Sequence, residues 1–203
     1  MPAIRLSALG DSFVEGRGDP GPAGAWYGWV PRLAELLGVP GERVRNLGTH
    51  QATTQQVVDD QLPRALANKP PVIGVIVGVN DLVSDFDPDR FRDNLATIFG
   101  RLTGMDTVVF TATYADIPAN LPVPESFRAL LRERFAMANE MLGAITADTG
   151  TLCLDVTTVA EWSRPEMWSA DGLHPSPRGH QWFAESVAGL LERATGDAVP
   201  AMM

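Results

Sequence analysis

An α/β fold with a mostly parallel, five-stranded sheet is what this sequence predicts, and three observations predict it. Short apolar runs of strand length alternate with longer segments of helical period along the chain. The most apolar run, VIGVIVGV at residues 72–79, has no polar face, as a central strand covered on both sides requires. No internal repeat or low-complexity linker interrupts the alternation, so residues 1–203 read as one domain.

The elements follow in order. Residues 4–9 form the first strand, and a Gly/Pro-rich loop over 16–24 leads into WYGWVPRLAELLG. There Trp29, Leu33, Leu36 and Leu37 share a helical stripe, with Gly38 as terminator. Trp26 and Tyr27 read as core of the same helix rather than as a binding platform. Residues 43–47 give a short second strand. Val57, Val58, Leu62 and Leu66 mark a helix over 54–68, kinked at Pro63. The third strand is the apolar run at 72–79. Asp87 followed by Pro88 is an N-cap with proline at the first helical position, opening a helix through Phe91, Leu95, Ile98 and Leu102. The fourth strand is 108–112, a helix spans roughly 125–147, and the fifth strand is 151–156. Ser176 and Pro177 repeat the cap-plus-proline signal before a last helix ending near Arg193.

Composition narrows the function. The chain has a formal net charge of −9, and its sixteen basic residues are scattered, so neither nucleic acid nor an anionic membrane is an expected partner. No apolar run approaches the roughly 20 residues that span a bilayer. The start MPAIRLSALGDS lacks a basic flank, a long apolar segment and a small-residue cleavage site, and a cytoplasmic location is therefore expected. Lys69 is the only lysine and, followed by two prolines, reads as a loop charge. Cys153 is the only cysteine and reads as a small buried hydrophobe within a strand. No amphipathic stripe is left over to mark an oligomer interface.

In α/β sheets ligands bind beyond the carboxyl ends of the strands. The polar residues that follow the first three strands, GDS, GTHQATT and ND, therefore face one crevice. Ser12 in GDS is either a helix N-cap or a nucleophile. Nucleophilic acyl transfer also needs a base and oxyanion donors. The chain has three histidines, His50, His174 and His180. His174 lies in DGLHP, where Asp171 stands three residues before it and Pro175 keeps it out of a regular helix. A tight D-x-x-H turn lets the carboxylate reach Nδ1 while Nε2 points outward, which fixes the tautomer a base needs. Asn80, at the end of the third strand, can offer its side-chain amide to an oxyanion. The Ser12 N–H is a second donor and the loop near Gln51 supplies a third. Taken singly, Asn80-Asp81 reads as a turn, Asp171 to His174 as a surface turn, and His180 as a packing or surface histidine. His50 either touches substrate or is solvated. Met167 and Trp168 either wall an acyl pocket or pack structurally. No H-x-x-x-H or C-x-x-C spacing supports a metal, and none is expected.

GDS near the start, GVND in the middle and DGLHP near the end, in that order, resemble the SGNH/GDSL hydrolase family over essentially the whole chain. The resemblance implies a flavodoxin-like three-layer α/β/α sandwich and a cofactor-independent serine esterase acting on small or medium acyl esters. It implies Ser12 as nucleophile, His174 as base and Asp171 as its orienter, with the Ser12 N–H and Asn80 amide as oxyanion donors. The family's remaining donor is a glycine in a segment like N-L-x-x-x-G-x-T. Here the sequence reads NLGTHQATT, with Gln51 in the glycine's place. Gln51 serves through its N–H if the loop needs no positive φ there; the alternative is Gly48, three residues earlier. The partner implied is a small-molecule ester. An acyltransferase using the same acyl-enzyme, or a weakly catalytic binding module, are the alternatives.

Overall fold

The structure, a computed structural model, describes residues 3–104 and 106–196, with Ala23 and Thr195 described through their backbone alone. In chain order the elements are β1 (Leu6–Gly10), α1 (Ser12–Glu15), α2 (Trp29–Leu36), β2 (Val44–Asn46), α3 (Thr54–Gln56), a π-helical turn (Val57–Gln61), α4 (Leu62–Asn68), β3 (Val72–Ile76), α5 (Val79–Val83), α6 (Pro88–Leu102), β4 (Val108–Ala112), α7 (Glu125–Thr149), β5 (Leu152–Leu154) and α8 (Pro177–Thr195).

The five strands form one sheet in the order β2-β1-β3-β4-β5, every pair parallel. Successive strands run outward from β1 in opposite directions, so the order reverses between β1 and β3. That reversal opens a crevice at the carboxyl ends of these two strands. Helices flank the sheet, α2 packing on α8 and α6 on α7. Trp29 of α2, Phe183 of α8, Phe110 of β4 and Phe13 of α1 interlock edge to face or tilted at 4.8–6.4 Å between centroids. This cluster ties the first turn after β1 to the core. No helix among the described residues is long and apolar enough to cross a membrane.

Local readings of the sequence hold at the caps. Asp87 accepts N–H bonds from Asp89 and Arg90 ahead of α6, and the Ser176 hydroxyl accepts from Gly179 ahead of α8. Elsewhere the structure corrects them. Strand β3 stops at Ile76 rather than at residue 79, because the chain turns at Gly78 (φ 128°) and starts α5. Leu36 is half exposed. The buried face of α2 is Trp29, Val30, Leu33, Ala34 and Leu37, centred about 90° around the helix from Leu36. Trp26 is exposed and lies before α2, with the Arg17 guanidinium over its ring. Cys153 is only partly buried, since β5 is an edge strand of three residues. The helix over 54–68 is interrupted by one π-helical turn just before Pro63, a ring that lacks an N–H and collides with the carbonyl four residues back.

Candidate active site

Strand β1 ends at Gly10, which lies so close to β3 that an added Cβ would sit 1.7 Å from the Ile76 carbonyl oxygen. No other residue fits there. Asp11 follows and caps α1, its Oδ1 accepting the Phe13 N–H at 2.9 Å. Ser12 is then the first residue of α1, where no intrahelical carbonyl can take its N–H. Its side chain is buried but for one edge. Gly48 lies against α1; a Cβ there would meet the Glu15 nitrogen at 2.4 Å. Asn46 staples the contact, donating to the Val14 carbonyl and accepting the Gly48 N–H.

The turn ahead of α8 carries the imidazole. Asp171 Oδ1 accepts the N–H groups of Leu173 and His174 at 2.9 and 3.0 Å and the Ser169 hydroxyl at 2.8 Å. Asp171 Oδ2 lies 2.6 Å from His174 Nδ1. Burial alone would raise the Asp171 pKa; the bonds from His174, Leu173 and Ser169 outweigh it and hold the carboxyl well below the usual carboxylate range. An ionised Asp171 requires a proton on Nδ1, which leaves Nε2 as an acceptor. Nε2 stands 2.9 Å from Ser12 Oγ. The Ser12 hydroxyl thus donates to the imidazole across 162 residues of chain.

Asn80, in α5, donates through Nδ2 to the Ala52 carbonyl at 2.9 Å, which fixes the amide and leaves its second N–H. Behind it Asp81 is anchored by the Thr54 N–H and hydroxyl at 3.0 and 2.7 Å. Burial still raises the Asp81 carboxyl. Burial likewise pushes Asp11 up to about 7, opposed by the Phe13 N–H and reinforced by the Asp81 charge.

Ser12, His174 and Asn80 open onto one cavity of about 70 Å³ whose other walls include Tyr114, Trp162 and Trp168. The Tyr114 hydroxyl is fixed on the Val77 carbonyl at 2.6 Å, and Trp168 Nε1 on the Trp162 carbonyl at 2.8 Å. Met167 is packed in the core instead. His180 is fully buried, 5.1 Å from the Phe13 ring, with Nε2–H donating to the Arg17 carbonyl at 2.8 Å. Burial lowers its pKa to about 4.

The residues around the second-strand loop are placed differently. Gly48, His50 and Gln51 are not among the cavity walls. The Gly48 N–H is taken by Asn46, and His50 is exposed with its ring 6.4 Å from that of His174. Gln51 has a φ of 63°, so the loop does require the positive φ that a glycine would supply, and glutamine adopts it. Sequence reasoning missed Trp162 and Asp11 as cavity walls and Gln61 as the partner of Gly10. The density of tryptophan at 162, 168 and 182 ahead of and after DGLHP was a usable signal for the first; nothing local marks the others.

A model of the GDSL-like lipase/acylhydrolase family matches residues 8–182. A GDSL lipase of Mycobacterium tuberculosis is 24% identical over 201 residues, covering 92% of this chain and 80% of that protein. Among solved structures, the acetylxylan esterase Axe2 of Geobacillus stearothermophilus superposes with a TM-score of 0.73 at 19% identity, covering 93% of this chain and 94% of that one. A lipase/acylhydrolase from Enterococcus faecalis superposes with a TM-score of 0.69 at 21% identity, covering 95% and 96%. Both share the fold described above.

Proposed function

The chain belongs to the GDSL-like lipase/acylhydrolase family, and on that premise we propose that it hydrolyses carboxylic esters of short acyl chains through a Ser12–His174–Asp171 triad. The observation that carries this reading is the 2.9 Å approach of His174 Nε2 to Ser12 Oγ, with Nδ1 held by an ionised Asp171. Ser12 Oγ attacks the ester carbonyl as its proton passes to Nε2. Negative charge develops on the carbonyl oxygen, which the Ser12 N–H and the second Asn80 N–H receive. The imidazolium, stabilised by Asp171, protonates the departing alcohol and leaves an acyl-Ser12 ester. Water then gives a proton to Nε2 and attacks that ester, and the imidazolium passes the proton to Ser12 Oγ as the acyl–oxygen bond breaks and the carboxylic acid leaves. With the Gly48 N–H engaged by Asn46 and Gln51 not among the cavity walls, this reading takes the Ser12 N–H and the Asn80 amide as its oxyanion donors. Each such donor contributes about 3 kcal/mol to the transition state.

The cavity supports the short-acyl preference. A cavity of about 70 Å³ walled by aromatic side chains favours a small acyl group over a long chain. Trp162, Trp168 and Tyr114 close it with side chains fixed by hydrogen bonds or neighbouring rings.

Fluorophosphonate labelling and hydrolysis of p-nitrophenyl esters graded by acyl length test the reading together. Ser12 is expected to be labelled, acetyl to butyryl esters to be turned over fastest, and Ser12→Ala to lose at least about a thousandfold in kcat. Full activity in a clean preparation of Ser12→Ala overturns the proposal. An added alcohol that captures the acyl group in preference to water reassigns the enzyme as an acyltransferase with the same triad.

A further inference from the structure

Asp11 immediately precedes the proposed nucleophile and is 2% exposed. Oδ1 caps α1, but Oδ2 is buried with no hydrogen-bond partner among the described residues. The residue also forms part of the catalytic cavity wall. Its surroundings offer no compensating charge. From α5 the ionisable neighbour is Asp81, another carboxyl. From the end of β4 comes Tyr114, whose hydroxyl is committed to the Val77 carbonyl. The β3–α5 connection contributes the Gly78 N–H. The π-helical turn contributes Gln61, whose amide is used at both ends by Gly10. From α1 come Ser12 and Phe13, and His174 of the turn before α8 stands beyond Ser12 Oγ. No cation is among the larger influences on Asp11.

We propose that Asp11 is a positioning residue that works as a neutral carboxylic acid, fastening the first turn of α1 through Oδ1 while keeping negative charge away from the oxyanion. The inference rests on Ser12 being the nucleophile. The Ser12 N–H is bonded to the Asp11 carbonyl carbon, so an oxyanion held by that N–H forms close to the Asp11 side chain. A carboxylate there would oppose the charge developing in the transition state, with little solvent to screen it. A carboxylic acid still accepts the Phe13 N–H, though more weakly than a carboxylate, and adds no such repulsion. An unpaired buried carboxylate is itself costly, which favours the protonated form. Burial brings its ionisation to near neutrality, so the effect falls within the range where the enzyme can be assayed.

The nucleophile reading is decided first and separately, by fluorophosphonate labelling of the wild type. With Ser12 labelled, kcat/KM for p-nitrophenyl acetate is followed from about pH 6 to about pH 9 in wild type, Asp11→Asn and Asp11→Ala. Because every variant needs the same neutral His174 base, the wild type is read as a ratio to Asp11→Asn, and that ratio is expected to decline about tenfold across neutrality as Asp11 ionises. Asp11→Asn, which caps α1 but cannot ionise, should retain at least about a third of the wild-type value at pH 6. Asp11→Ala, with neither cap nor charge, should run more than about tenfold below Asp11→Asn at every pH with the same profile. A ratio of wild type to Asp11→Asn that does not change with pH, or an Asn variant as slow as the Ala variant at pH 6, overturns the proposal. Should the variants fail to fold, the infrared carboxylic-acid band of aspartate-labelled wild type decides. A buried protonated band that is present at pH 6 and lost by pH 9 supports the assignment, and its absence at pH 6 sinks it.

Discussion

Gln51 holds a φ of 63° in the loop that follows β2, a left-handed conformation in which a Cβ crowds the following carbonyl. That strain amounts to about 1–2 kcal/mol for an ordinary side chain. Glycine removes it, at the expense of about 0.4–1 kcal/mol of extra freedom in the unfolded chain. Gln51→Gly is therefore expected to stabilise the protein by up to about 1 kcal/mol, and the β-branched Gln51→Val to destabilise it by about the same amount. Urea titration of both variants checks this, and a Gly variant less stable than the wild type would contradict the strain argument. The same position shows how far single residues could be read. Ser12, Asp171, His174 and Asn80 were singled out only by GDS, GVND and DGLHP taken together, since each alone reads as a cap or a turn. The φ of Gln51 was not legible, since a loop's backbone depends on what it packs against: here α1, across Gly48. Asp11 was equally hidden. In sequence it is only the middle residue of GDS, where the cap reading falls on Ser12, and only the convergence of β3, α5 and Tyr114 makes it an uncompensated buried acid.

Between α3 and α4 the π-helical turn does more than accommodate Pro63. It places Gln61, 3% exposed, with its Oε1 accepting the Gly10 N–H at 2.8 Å and its Nε2 donating to the Gly10 carbonyl at 2.9 Å. One side chain thus bonds both backbone groups at the end of β1, the residue before Asp11 and two before Ser12, and the carbonyl also accepts the Thr49 N–H at 3.1 Å. Each buried backbone group left without a partner costs about 1–3 kcal/mol. Gln61→Leu, which keeps the volume and removes both bonds, leaves the Gly10 carbonyl its bond from the Thr49 N–H but orphans the Gly10 N–H, and should therefore lower stability by about 1–3 kcal/mol and shift the end of β1. Denaturant unfolding measures the first effect, and a loss of kcat larger than any rise in KM reports the second. A Leu variant within about 0.5 kcal/mol of wild type would show that the pair does not hold β1. At this scale the sequence anticipated the alternation of strands and helices, the caps at Asp87 and Ser176, and the break near Pro63. It could not show that the break is a widened turn or that Gln61 faces Gly10, because that partner lies 51 residues away. The early end of β3 escaped for a related reason. Val77, Gly78 and Val79 continue the apolar run, and only the Tyr114–Val77 bond and the left-handed Gly78 show where the strand gives way to α5.

Over the whole molecule, two buried groups make stability depend on pH in opposite directions. Asp11 ionises at about 7 when folded, against a usual value of 3.8. Between these values the folded protein holds the extra proton, so this group's contribution to stability falls as pH rises. His180 titrates at about 4 when folded, against 6.5. Between those values the unfolded chain holds the extra proton, so its contribution rises with pH. From about pH 4 to about pH 6.5 the two slopes oppose one another, each worth about 3 kcal/mol at most across the interval. Asp171, held below the ordinary carboxylate value, supports the fold above that value and withdraws its support only as the pH falls further. The wild type should therefore show little net slope from the two buried groups in this window, and single variants should reveal each. His180→Gln, which keeps a donor for the Arg17 carbonyl but cannot titrate, is expected to lose stability relative to wild type as pH rises from 4 to 6.5. Asp11→Asn should gain over the same interval, and the double variant should run parallel to the wild type. Chemical unfolding at a series of pH values gives these differences directly, and the remaining carboxylates of an acidic chain cancel because all four proteins share them. If both single-variant differences were independent of pH, neither group would be changing its protonation on folding, and the neutral state assigned to Asp11 beneath the nucleophile would lose its thermodynamic basis along with its kinetic one.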